Sequence, residues 1–153
     1  LEPLYGSIDD YVAQIQSRIE AVCAESGAQK VSLVGHSMGG LACRAYLAHH
    51  GDGRVARLIT LGTPHHGTEI ARYGLGPNAR QMERGSAWLK ALGSAALPEG
   101  LPATAFYSVH DNFVMPQDCQ YLENADNRPL VGIAHLEMLF SAHIETALVA
   151  ALR

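Results

Sequence analysis

The sequence predicts an α/β fold in which a parallel sheet of about four strands is flanked by helices. Short apolar runs alternate along the chain with runs whose apolar residues recur at helical spacing. This alternation is typical of parallel strands joined by crossover helices. One apolar run ends in a serine flanked by glycines, with a helical run directly after it, and residues 68–100 interrupt the alternation. The interruption indicates an insertion over the sheet.

The first predicted element is a helix. Ser7 is a good N-cap, and Asp9 and Asp10 stand in the first turn, where acidic side chains favour the helix dipole. The apolar residues that repeat at helical spacing are Tyr11, Val12, Ile15, Ile19 and Val22. Gly27 is expected to end the helix as its C-cap.

A predicted strand over Lys30–Val34 and a predicted helix over Leu41–His49 enclose a sharp turn. The turn reads Gly-His-Ser-Met-Gly over residues 35–39 and fits the pattern G-x-S-x-G. Between a strand and a helix, this pattern is the nucleophile elbow, which exposes a strained serine above the sheet. Gly35 and Gly39 are expected to remove side chains that would collide there. The alternative is a glycine-rich turn with an incidental serine.

The later elements follow the same alternation. Strands are expected at Val55–Leu61, Ala103–Val109 and Leu130–Ile133, and a closing amphipathic helix is expected at Ser141–Leu152. Residues 68–100 contain several glycines, two prolines and one short helical candidate, Ser86–Leu92. We interpret them as a cap-like insertion within one domain that spans residues 1–153. Asn124–Pro129 is expected to be a polar turn.

Composition narrows the class of protein. The chain has 153 residues, of which 48% are hydrophobic and 17% are charged, as expected for a globular domain with a sizeable core. A net charge of -4 gives no electrostatic reason to expect nucleic acid as a partner. No apolar run reaches the length of a transmembrane helix. Three cysteines without paired spacing predict free thiols and leave one disulfide, and therefore the cellular compartment, open.

A serine hydroxyl needs a general base, and the base needs a group that orients it. In proteins with a nucleophile elbow the order along the chain is serine, acid, histidine. Asp111 directly follows a predicted strand and is the favoured acid, whereas the competing acids lie in polar loops: Asp118, Glu123 and Asp126. His135 follows the last predicted strand and is the favoured base. The histidines in less suitable positions are His36, His49, His50, His65, His66, His110 and His143.

Five segments together resemble bacterial lipases and esterases of the α/β-hydrolase fold, over nearly the whole chain. The elbow and its following Gly40 look like those of true lipases, and Leu-Gly-Thr-Pro-His-His-Gly-Thr at 61–68 is similar to a segment of triacylglycerol lipases. Residues 80–89 resemble the cap segment of the family. Asp111 begins a D-x-x-V-x-P pattern like that around the family's acid, and His135 ends a G-x-x-H pattern like that of its base.

The resemblance implies hydrolysis of a small-molecule or lipid carboxylic ester through an acyl-enzyme, without a cofactor. Ser37, Asp111 and His135 would form the catalytic triad, and the backbone N–H of Met38 would be one donor of the oxyanion hole. The residues expected to bind substrate are His36, His65, His66 and Trp88, with the His65–His66 pair on the floor of the acyl site and Trp88 alternatively packing the cap. The sequence contains no carboxylate cluster that would predict a site for a structural calcium or another metal.

One part of the family pattern has no counterpart. The second oxyanion donor of the family comes from a loop after an early strand, whereas about thirty residues precede the elbow here and predict a single helix. Residues 1–6 resemble the exit of the fourth family strand. We therefore expect the amino-terminal portion of the fold to be absent from this chain. A second copy of the chain, or the missing portion as a partner, would then cover an apolar strand edge.

Two alternatives to ester hydrolysis remain open from the sequence. The same triad also supports acyl transfer or thioester hydrolysis. A non-catalytic fragment that retains the fold is the other alternative, because fold alone does not establish activity.

Overall fold

The computed structural model describes residues 2–152. Leu1, part of the segment that resembles a family strand exit, therefore lies outside the described residues. The sheet contains β1 (Val31–His36), β2 (Val55–Leu61), β3 (Ala103–Ser108) and β4 (Asp126–Leu130). All three strand pairs are parallel, and the strands lie side by side in chain order. This confirms the predicted α/β class and the strand number.

Within residues 2–152, five helices accompany the sheet. They are α1 (Asp10–Ser26), α2 (Met38–His50), α3 (Gly76–Met82), α4 (Ala87–Ser94) and α5 (Ala142–Ala151). Short 3-10 turns lie at Glu69–Tyr73, Gln117–Gln120 and Leu136–Leu139. Among the described residues, no helix is long and apolar enough to cross a membrane.

Both faces of the sheet are covered by apolar side chains. Leu58 on β2 packs into a core with residues of α1 and α2, such as Tyr11 and Leu41. The adjacent Ile59 points into a second core, shared with Ile144 of α5. Alternation between two cores explains why β2 reads as a nearly continuous apolar run, as expected for parallel strands buried on both faces.

The start of α1 differs from the prediction, and its end agrees. The N-cap is Asp9, not Ser7, because Ser7 belongs to the preceding turn. The backbone N–H of Ser7 donates to the Asp10 carboxylate at 3.0 Å, and the carbonyl of Ser7 accepts the Asp10 N–H at 3.1 Å. Gly27 is confirmed as the C-cap, with a left-handed φ of 72°.

The last strand was predicted in the wrong place. The turn expected at Asn124–Pro129 and the strand expected at Leu130–Ile133 are replaced by β4, which is largely polar. In the described part of the chain, β4 pairs only with β3 and forms an edge of the sheet, so polar side chains remain in contact with solvent. Pro129 is tolerated there because an edge strand can lack one ladder hydrogen bond.

The insertion at residues 68–100 has more regular structure than predicted. The expected short helix at Ser86–Leu92 corresponds to α4, with Ser86 as an N-cap that accepts the Leu89 N–H at 3.1 Å. The sequence did not predict α3, which begins with Gly76 and Pro77. Proline suits the first turn of a helix, where no intrahelical acceptor awaits its missing N–H.

The three cysteines, Cys23, Cys43 and Cys119, are free and buried. Burial raises the pKa of the Cys43 thiol to about 12, so this thiol stays protonated. The cysteines therefore act as small apolar core residues.

Candidate active site

Ser37 lies at the junction of β1 and α2 in a strained conformation. Its φ is 53° and its ψ is -129°, a region that residues other than glycine rarely occupy. Its backbone N–H donates to the carbonyl of Leu61 at the end of β2, at 2.8 Å. The neighbouring strand therefore holds the strained turn in place.

Two glycines allow close packing at the turn, Gly35 between β1 and α2, and Gly40 between α2 and the segment after β2. A Cβ on Gly35 would lie 2.5 Å from the Cα of Gly40, and a Cβ on Gly40 would lie 2.0 Å from Thr63 Oγ1. The predicted role of Gly39 is wrong, because a Cβ there would meet nothing within 4 Å. The close approach depends on Gly35 and Gly40.

Met38 is the first residue of α2. The first N–H groups of a helix have no intrahelical acceptor, and the helix dipole adds partial positive charge around them. Negative charge that develops beside Ser37 would therefore meet a free backbone donor. Between residues 2 and 30 the structure contains α1 and no strand, so this part of the chain holds no counterpart of the family's second donor loop.

Asp111 and His135 form a buried pair. His135 Nδ1 and Asp111 Oδ2 are 2.7 Å apart, and both residues are almost inaccessible to solvent. The backbone N–H groups of Phe113 and Val114 each donate to Asp111 Oδ1 at 2.7 Å. The Asp111 carboxylate is thus held by three donors.

The ionisation of Asp111 determines the tautomer of His135. Burial raises the pKa of the Asp111 carboxyl, but the hydrogen bonds from His135, Val114 and Phe113 outweigh it, and the pKa lies below its ordinary value. An ionised carboxylate can only accept, so His135 Nδ1 carries a hydrogen and donates it. When the imidazole is neutral, its Nε2 keeps a lone pair for a proton.

His36 and Phe113 enclose the ring of His135. The His36 Nε2–H donates to the backbone carbonyl of His135 at 3.0 Å, and the two ring centroids are 4.7 Å apart. The Phe113 ring stacks on His135 with centroids 5.2 Å apart. Burial lowers the pKa of His36, which favours its neutral form. His36 thus contacts the predicted base and does not line the cavity beside Ser37.

Ser37 and the Asp111–His135 pair both lie around the carboxyl end of β2. Ser37 is bonded to Leu61, and a Cβ on the next residue, Gly62, would lie 3.1 Å from His135 Nδ1. Within residues 2–152 no hydrogen bond joins Ser37 Oγ to His135. Catalytic hydrogen bonds are often long without substrate and shorten when substrate binds.

A mostly apolar cavity of about 260 Å³ opens beside Ser37. Most of its wall comes from the insertion. The lining residues are Ser37, Pro64, Thr68, Ile70, Ala71, Tyr73, Gly74, Ala79, Met82, Phe113 and Val114. The sequence did not predict Ile70, Phe113 and Val114 as lining residues. For Phe113 and Val114, the only signal in the sequence was their place inside the D-x-x-V pattern.

Three residues predicted to bind substrate lie elsewhere. His65 is buried, and its Nε2 lies 3.0 Å from Thr60 Oγ1. His65 and His66 border a different cavity, and Trp88 borders a third, with its indole N–H donating to Asp9 at 2.9 Å. Among the described residues, no cluster of three or more His, Cys, Asp or Glu side chains is placed to hold a metal.

The sequence matches the α/β hydrolase fold family over residues 5–106. The chain belongs to this family. Its fold resembles that of a Bacillus licheniformis lipase in its mature form, with a TM-score of 0.81, 17% identity, and coverage of 96% of this chain and 74% of the other. At this identity, the likeness of this α/β-hydrolase chain to the lipase concerns the fold alone.

Sequence relatives of this α/β-hydrolase chain include two triacylglycerol lipases. One, from Pseudarthrobacter phenanthrenivorans, is 45% identical over 60 residues, which cover 39% of this chain and 18% of the relative. The other, from Burkholderia plantarii, has the same identity over the same length and is covered to 16%. The matched part therefore spans less than a fifth of either lipase.

Proposed function

We propose that the chain carries the catalytic centre of a serine carboxylic-ester hydrolase of the lipase and esterase type. The main support is the buried Asp111–His135 pair, together with the strained Ser37, since both lie around the carboxyl end of β2. Open α/β sheets bind their ligands at this edge. The two triacylglycerol lipases among the relatives add support.

In the proposed mechanism, Ser37 Oγ attacks the ester carbonyl carbon while His135 Nε2 takes the hydroxyl proton. The carbonyl oxygen becomes an oxyanion beside the Met38 N–H. The carbon–oxygen bond to the alcohol then breaks, and His135 returns the proton to the leaving alcohol. Water, activated by His135, next attacks the acyl-enzyme, which releases the carboxylic acid and restores Ser37. Asp111 holds the tautomer of His135 throughout.

The cavity beside Ser37 supports an ester with an apolar acyl group. Its lining lacks charged side chains, and its volume of about 260 Å³ is below the usual range for drug-sized ligands. We propose that it holds a short acyl chain next to the reacting carbonyl.

Met82 tests this assignment, because it lines the cavity and has the longest flexible apolar side chain among the lining residues. The parent protein is expected to hydrolyse p-nitrophenyl butyrate faster than the octanoate and palmitate esters. Met82→Ala should shift this preference toward the two longer acyl chains. The measurement is kcat/KM for each ester. Met115→Ala is the matched control, because Met115 does not line the cavity. An unchanged chain-length profile in Met82→Ala would contradict the acyl assignment.

We propose further that residues 68–100 act as a mobile cap over the cavity. The segment contributes most of the wall beside Ser37, and its helices α3 and α4 have seven and eight residues. Short helices with few buried residues open more readily than a central strand. Amide hydrogen exchange measured by mass spectrometry is expected to be faster in residues 68–100 than in β2. Equal protection of the two segments would rule out a mobile cap.

The unpaired edge of β1 is evidence that a strand from another chain pairs with it. Within residues 2–152, β1 pairs only with β2, and Val34 is 43% exposed although it lies in an apolar strand. Unpaired backbone groups on such an edge are prone to pair with another chain. We propose that a second copy of the chain covers β1 when the chain is studied alone. The partner would also be a source of a second oxyanion donor, a contribution worth about a hundredfold to a thousandfold in kcat.

Light scattering on the purified chain checks this pairing. Self-association that depends on concentration is expected, and Val34→Lys should weaken it by placing a charge at the interface. Val131→Lys is the control, because Val131 is 75% exposed and follows the opposite edge strand, β4. A monomer at all concentrations with high esterase activity would refute the proposed pairing.

A further inference from the structure

Arg44 is a buried cation that the proposed mechanism does not use. It lies on α2, is only 6% exposed, and forms no ion pair with a carboxylate of residues 2–152. Burial lowers the pKa of its guanidinium, but arginine remains charged in proteins. A buried charge without a partner is costly, and buried charges are normally paired.

His65 holds the guanidinium as a neutral acceptor. Arg44 Nη1 lies 3.3 Å from His65 Nδ1, and because arginine can only donate, His65 Nδ1 accepts. The hydrogen of His65 is therefore on Nε2, which donates to Thr60 Oγ1 at 3.0 Å. Burial, followed by the charge of Arg44, lowers the pKa of His65 well below its ordinary value. His65 orients Arg44 without neutralising it.

Arg44 has one further acceptor within the protein, and some of its N–H donors still remain unused. Arg44 Nη2 donates to the carbonyl of Leu92 at 3.4 Å. The described residues offer no acceptor for the remaining N–H groups of the guanidinium. A guanidinium that keeps unused N–H donors can bind an oxyanion through them.

Arg44 lines a cavity of about 470 Å³ that is separate from the cavity beside Ser37. Lys90, which is exposed and forms no ion pair within the described residues, lies in the same wall. Glu123 is the acidic residue in the wall; its carboxylate lies 3.4 Å from His66 Nε2, and its negative charge favours the charged form of Arg44 without forming an ion pair with it. The cavity wall therefore carries two cations that form no ion pair within the described residues, and one acid whose charge partly opposes theirs.

We propose that this cavity is a second binding site, which takes an oxyanion group, either a carboxylate or a phosphate, on Arg44 and Lys90. The loop after β2 separates this site from the cavity beside Ser37. His65 lines the proposed anion site, and the preceding Pro64 lines the cavity beside Ser37. The site is therefore expected to bind its anion whether or not Ser37 is acylated.

Isothermal titration of the full chain with inorganic phosphate or acetate, at constant ionic strength set with chloride, tests the proposal. Saturable binding of at least one of the two anions is expected, and the anion that binds identifies phosphate or carboxylate as the ligand chemistry. Binding should persist after Ser37 has been blocked with a fluorophosphonate. Absence of saturable binding, or its loss on blocking Ser37, would overturn the proposal.

Four variants make the test specific. Lys90→Gln should weaken binding several-fold, Arg44→Lys should weaken it more than tenfold, and Glu123→Gln should strengthen it by removing a negative charge from the wall. Lys90 and Glu123 are exposed, so their variants remain informative even if Arg44→Lys fails to fold. Lys30→Gln is the control, because Lys30 is a surface lysine outside the cavity. Equal affinity in the parent and in Lys90→Gln and Glu123→Gln would contradict the assignment.

Discussion

Ser37→Ala is expected to abolish ester hydrolysis, lowering kcat by about five to six orders of magnitude, the loss seen when a serine nucleophile is removed from a triad. The hydroxyl is the group that forms the acyl-enzyme, and alanine leaves nothing to attack the carbonyl. The measurement is p-nitrophenyl butyrate turnover, together with fluorophosphonate labelling located by peptide mass spectrometry. Labelling should occur at Ser37 in the parent and disappear in the variant.

Two further serine variants separate chemistry from folding. Ser32→Ala is the matched control, because Ser32 lies on the same strand β1 and does not line the cavity beside Ser37. Ser37→Gly should be as inactive as Ser37→Ala yet more heat-stable, since glycine adopts the φ of 53° found at this position without steric cost. Parent-like turnover in Ser37→Ala would show that another residue is the nucleophile.

His135→Ala is expected to cost nearly as much activity as the loss of Ser37, because the members of a triad act as a unit. Asp111→Asn should cost less, about two to four orders of magnitude in kcat. An asparagine retains the shape of the side chain but no longer requires a hydrogen on His135 Nδ1, so the wrong tautomer becomes populated. Steady-state kinetics on p-nitrophenyl butyrate measure both losses.

The histidine controls decide whether the base is assigned correctly. His143→Ala, on the exposed side of α5, should retain the activity of the parent. If His65→Ala or His66→Ala were as damaging to kcat as His135→Ala in a folded protein, the base would have to be reassigned. Circular dichroism of each variant separates loss of chemistry from loss of fold.

The strand β4 shows where sequence patterns fail. Its segment Asp126–Leu130 contains charged and amide side chains and Pro129, all of which are typical of a turn. An edge strand needs apolar residues only where it contacts the core, and β4 contacts it through Leu130. Backbone pairing with β3 brings the segment into the sheet, and that pairing joins residues distant in the sequence.

By itself, the sequence determined the parallel α/β architecture and the elbow around Ser37, and it predicted Asp111 and His135 as partners, because these depend on local periodicity and on order along the chain. Only the tertiary structure decided which side chains surround each cavity. His65 and His66 follow β2 like the catalytic candidates, yet they face the cavity of Arg44, whereas Phe113 turns toward His135. The direction of a loop side chain is set by packing against distant elements, and no local pattern records it.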